Sequence, residues 1–100
     1  MIVDLKDYRC PNAQVALTRV LEAFEICSTN ELTIITIEPS LERSLVHRIE
    51  HMSYSMLITQ ATSRDITDEI VTAWGVDVDE DDISDVDQQH TLVVTKQRTV

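Results

Sequence analysis

Cys10-Pro11-Asn12-Ala13-Gln14-Val15-Ala16-Leu17-Thr18-Arg19-Val20-Leu21-Glu22-Ala23-Phe24-Glu25-Ile26-Cys27 is the stretch around which the rest of the chain is organised. Ala13, Leu17, Val20, Leu21, Phe24 and Cys27 recur at three- and four-residue spacing, so they share one face of an α-helix, with Arg19, Glu22 and Glu25 away from its centre. Pro11 suits the first helical position, where its missing N–H would have no partner anyway. This reading makes Cys10 the N-cap.

Working outward, residues 2–8 read as a short strand with Val3 and Leu5 facing inward. Ser28-Thr29-Asn30 offers a turn in which Asn30 takes the left-handed conformation. Leu32-Thr33-Ile34-Ile35-Thr36-Ile37 is rich in β-branched residues and reads as a central strand, ended by Pro39. Ser40 caps a second helix with the stripe Leu41, Leu45, Ile49 and Met52, and Tyr54 to Thr59 reads as a third strand. The order strand, helix, strand predicts parallel pairing of the first two strands through a right-handed crossover. Leu92-Val93-Val94 adds a fourth strand. Between strands three and four an insertion, about residues 62–90, carries a short helix on Ile66, Ile70, Ala73 and Trp74, closed by Gly75. The acidic run Asp77 to Asp87 after it predicts a solvated, mobile loop.

One hundred residues fit a single domain, 1–100. No apolar run approaches the roughly 20 residues needed to cross a bilayer, and the first residues carry acids where a signal peptide has a basic start, so the expected location is cytoplasmic. With 18 acidic against 8 basic side chains the net charge is −10, which argues against nucleic-acid and anionic-membrane partners and steers basic proteins toward the surface. Two cysteines do not make a disulfide scaffold. If the segment between them is helical it spans about 25 Å, whereas a disulfide tolerates roughly 7 Å between Cα atoms.

A thiolate does nucleophilic chemistry, and the unpaired N–H groups and dipole of a helix N-terminus favour that form. Cys10 before Pro11 meets this condition, and Arg9 adds positive charge beside it, opposed by Asp7. On spacing alone a buried, inert Cys10 at a strand end is an equal alternative. Tyr8-Arg9-Cys10-Pro11-Asn12-Ala13, following a short strand and opening an amphipathic helix, resembles the Cys-Pro-x-Pro signature of the TusA/SirA-like family of small sulfur carriers. Ala13 stands where that signature has its second proline, and Glu38-Pro39 falls where the family often has an acidic-Pro pair before its second helix.

The resemblance implies an α+β fold: a two-layer α/β sandwich, β-α-β-α-β-β, with two main helices on one face of a four-stranded mixed sheet. It implies a persulfide carried on Cys10, with Pro11 placing the helix start; support of the thiolate by Arg9 is the reading from its adjacent charge. It further implies transfer from a donor such as a cysteine desulfurase to an acceptor protein, with no bound cofactor and no metal. Such a protein is expected to be a carrier, a sulfurtransferase-like relay rather than a conventional enzyme. The competing function is a regulatory protein-interaction module that keeps the fold and binds through Trp74 and the acidic insertion.

Other patterns are weaker. His47-Arg48-Ile49-Glu50-His51 spells H-x-x-E-H, but both histidines fall opposite the apolar stripe, as an ordinary solvated helix face would place them. Asp77, Asp79 and Asp81 match the first positions of a calcium loop, after which Asp82 replaces the required Gly and Gln88 the bidentate Glu. Cys27 reads as core, as does Trp74 from its spacing with Ile66 and Ile70.

Overall fold

The computed structural model describes residues 1–52, 54–75 and 83–97. Strands β1 (Ile2–Asp4), β2 (Glu31–Thr36), β3 (Met56–Asp65) and β4 (Gln88–Lys96) alternate with helices α1 (Asn12–Ile26), α2 (Leu41–His51) and α3 (Asp68–Trp74). They form one mixed sheet in the order β1-β2-β4-β3, with β1 parallel to β2 and the other two pairs antiparallel. This is the expected α+β two-layer sandwich, with the short third helix inserted between strands three and four.

Register explains the core. Val3 pairs with Ile34 and Ile34 with Leu92, while Leu32 pairs with Val94 and Val94 with Ile58, so two neighbouring rows of inward side chains cross the sheet. Against these rows α1 packs Ala13, Leu17, Leu21 and Phe24, and α2 packs Leu41 and Leu45, all buried. Each large side chain so buried contributes about 1.5–3 kcal/mol. Ile49 lies at the edge of this cluster, while Met52, expected on the same stripe, is 55% exposed just beyond the helix end. No basic residue occupies the last turn of α1. Lys96 of β4 supplies that charge: its Nζ donates to the Cys27 carbonyl at 2.5 Å and lies 4.7 Å from the centre of the Phe24 ring.

Several expectations need correction. The N-cap of α1 is Pro11, so Cys10 stands one residue earlier, joined to Pro11 by a cis peptide bond. Lys6, with φ 51°, is the positive-φ non-glycine residue among those described, and not Asn30, whose carbonyl accepts from the Lys96 N–H. Ser40 is the N-cap of α2 by position but makes no capping hydrogen bond with its side chain. β3 continues to Asp65 instead of ending at Thr59, because the backbone of β4 extends to Gln88 and pairs with it throughout. A bulge at Thr59 shifts the register, and past it the strand is exposed. There polar cross-strand pairs replace burial: Ser63 Oγ lies 2.8 Å from His90 Nδ1, and Arg64 Nε donates to Gln89 Oε1 at 2.8 Å.

The inserted helix forms where its periodicity places it. Thr67 caps it by accepting from the Ile70 N–H at 3.3 Å, and Gly75 closes it with φ 106°. Yet α3 buries no residue, and Ile66, Ile70 and Trp74 are only half-buried and outside the main core, which corrects the reading of Trp74 as core. Of the acidic run, Asp85 and Asp87 are described. Asp77, Asp79, Asp81 and Asp82 lie outside the described residues, as does most of the expected mobile loop.

Candidate functional site

Because β1 and β2 are parallel, their C-terminal ends lie on the same side of the sheet, and each strand leads there into a helix N-terminus. After β1 the chain turns through left-handed Lys6, whose N–H bonds the Asp4 carboxylate at 2.8 Å, and the Tyr8 N–H closes back on the Leu5 carbonyl at 2.9 Å. After β2 the Glu38 N–H is held by the Thr36 hydroxyl at 3.1 Å, and Pro39 prevents continuation of the strand. The two turns bring Cys10 and Ser40 together.

Cys10 is exposed. Its Sγ lies 3.6 Å from the Ser40 hydroxyl, and the Gln14 side-chain amide donates to it at 3.7 Å while donating to Ser44 Oγ at 2.7 Å. Cys10 and Gln14 are four residues apart, as are Ser40 and Ser44, so two helical turns meet along one seam. The thiol therefore sits where the positive ends of two helices converge, with polar partners on both. Gln14, Ser40 and Ser44 were not singled out as site residues from sequence. The signal for them is this shared spacing, which gains meaning only once the two helix starts are known to be adjacent.

Arg9, next to Cys10 in the chain, pairs with two carboxylates. Its guanidinium grips Asp85 from two nitrogens, at 2.6 and 3.1 Å, and its Nε lies 3.4 Å from the buried Glu38 carboxylate. Arg9 thus clasps the inserted segment to the turn that carries Cys10 and spends its charge on carboxylates. The hydrogen bond from Arg9 holds the Asp85 carboxyl below its ordinary value of 3.8, and the same bond raises the Arg9 guanidinium. A lowered carboxyl contributes stability above its unfolded value and loses it as the pH falls through the folded one. The clasp should therefore weaken only below about pH 3.8. Side-chain carboxyl NMR is expected to show Asp85 titrating below the ordinary aspartate value, and Arg9→Gln to return it there.

Cys27 is half-buried at the rim of the core, with Sγ 3.8 Å from the Thr29 carbonyl. His47 and His51 are exposed and stacked, with ring centres 5.7 Å apart. Among the described residues no group of three or more His, Cys, Asp and Glu side chains is placed to hold a metal ion. No described helix is long and apolar enough to cross a membrane. Compared with family models, with curated proteins and with solved structures, the chain matches none.

Exposure governs alkylation, so iodoacetamide is expected to modify Cys10 well before Cys27. Peptide mapping of a time course checks this; labelling of Cys27 first would remove Cys10 from consideration as a reactive thiol.

Proposed function

We propose that this chain is a sulfur carrier of the TusA/SirA-like kind, which holds a persulfide on Cys10 and passes it to an acceptor protein in the cytoplasm. The observation that carries the reading is an exposed thiol at the convergence of two helix N-termini, contacted by Ser40 and Gln14. Exposure gives a donor access, and the two helix starts favour the negative charge that a persulfide sulfur carries. Neighbouring hydroxyl and amide groups offer further polar contacts to the added sulfur. Cys10 attacks the sulfane sulfur of a donor persulfide, the donor thiolate leaves, and the same exchange run toward an acceptor unloads it. A cysteine desulfurase is the expected donor. The test is intact-mass measurement after incubation with a desulfurase and cysteine, where gain of one sulfur confined to Cys10 supports the function.

A second reading, an interaction module, draws on the inserted helix. It buries no residue and leaves Trp74 half-exposed at the far end of a long hairpin, as a partner-binding element would. Loss of a partner on Trp74→Ala, with no sulfur ever found on Cys10, would favour it.

A further inference from the structure

Arg43, His47, Arg48 and His51 all belong to the eleven residues of α2, in a chain with only eight Lys and Arg side chains against 18 acids. All four line one recess of about 480 Å³, whose wall also includes Gln14 and Ser44. Among the described residues neither the Arg43 nor the Arg48 guanidinium has a hydrogen-bond or ion-pair partner, whereas that of Arg9 is matched by two carboxylates. The acids of α2, Glu42 and Glu50, line a neighbouring recess, which shares Arg43 and His47 with the first. The amide of Gln14 belongs to the recess wall and also donates to Cys10 Sγ, so recess and sulfur stand on two sides of one side chain.

The volume falls within the roughly 300–1,000 Å³ of small-molecule sites, and all four residues border this one concavity. Guanidinium groups recognise carboxylates through paired hydrogen bonds, and two unpaired arginines suit a ligand with two carboxylates. We infer that the recess binds a low-molecular-weight thiol bearing carboxylates and that the persulfide of this thiol is a direct sulfur donor to Cys10. The inference deepens the sulfur-carrier reading, and its donor step rests on it. Cys10 Sγ, as thiolate, attacks the outer sulfur of R–S–SH; a new S–S bond forms to Sγ and the old one breaks. The electron pair leaves on R–S⁻, and the outer sulfur keeps its proton. One S–S bond replaces another, so no oxidant or reductant is consumed.

Two probes test this on the intact chain. S-methylglutathione, which cannot exchange sulfur, is expected to shift the His47 and His51 ring protons saturably, and the double variant Arg43→Ala/Arg48→Ala to weaken its affinity by about tenfold or more. Both arginines lie on a helix surface, where alanine keeps the helix. Glutathione persulfide and the neutral 2-hydroxyethyl persulfide are then compared as donors by intact mass. The variant is expected to slow loading from the first by a similar factor and leave the second unchanged. Absence of saturable shifts, or equal slowing with both donors, overturns the inference. Saturable shifts with no loading from either persulfide overturn the donor role alone, and the carrier reading then falls only if a desulfurase also fails to load Cys10.

Discussion

Cys10→Ser is expected to abolish persulfide loading while leaving the far-UV spectrum and the melting temperature close to those of the parent chain. The sulfur has no replacement: a serine hydroxyl is not ionised at neutral pH and does not attack a sulfane sulfur. The fold has little to lose, because Cys10 is exposed, lies before the N-cap of α1 and contributes nothing to the core. Serine can still meet the Ser40 hydroxyl and the Gln14 amide that now face the thiol. Cys27→Ser should behave in the opposite sense. It keeps the adduct and costs at most about 1 kcal/mol, since a hydroxyl there can donate to the Thr29 carbonyl now 3.8 Å from the sulfur. Intact-mass measurement on both variants after desulfurase treatment checks the pair. Sulfur retained by Cys10→Ser, or lost by Cys27→Ser, contradicts the assignment of Cys10.

Phe24→Ala is expected to be the most damaging single truncation in α1. Phe24 is fully buried, and its ring packs into the sheet-facing core while carrying the Lys96 ammonium at 4.7 Å. Removing a ring from such a site costs about 3–5 kcal/mol through lost burial and the cavity left behind. A domain of this size has about 5–15 kcal/mol in total. At about 4–8 °C per kcal/mol, the melting temperature should fall by more than about 12 °C. Urea denaturation followed by circular dichroism checks this. A loss below about 1 kcal/mol would mean that the neighbouring side chains close the gap, against the close packing usual of protein interiors.

The parts of the fold governed by periodicity were legible in the chain. The stripes of α1 and α2, the β-branched run of β2 and the punctuation by Pro39 and Gly75 each have a local physical cause. The outer half of β3 was not, because Gln60 to Asp65 carries no alternation and is held by its pairing with β4. Cys10 was legible as a candidate by its place before a helix, yet its partners were not. Ser40 reaches it through the apposition of two helix starts 30 residues apart in the chain, across which Gln14, four residues after Cys10, also bonds Ser44. The partners of Arg9 were hidden for the same reason: sequence adjacency to Cys10 suggested support for the thiol, and nothing local pointed to Asp85, 76 residues away, which binds the guanidinium. Trp74 shows the limit of helical spacing, which reports a shared face and not what covers it.

The ten residues of β3 stand at the edge of the sheet, and among the described residues no strand pairs along their outer side. Such an edge is a template on which another copy of the chain can add a strand, the first step toward aggregation. The opposite edge is blunted by its length, since β1 has only three residues. At β3 the guard is different: the bulge at Thr59 breaks the straight run, Arg64 and Asp65 place charge near its end, and the residues between are small or polar. Filling this edge with β-branched apolar residues would strengthen the hairpin locally and at the same time turn a solvated margin into a nucleus for self-association.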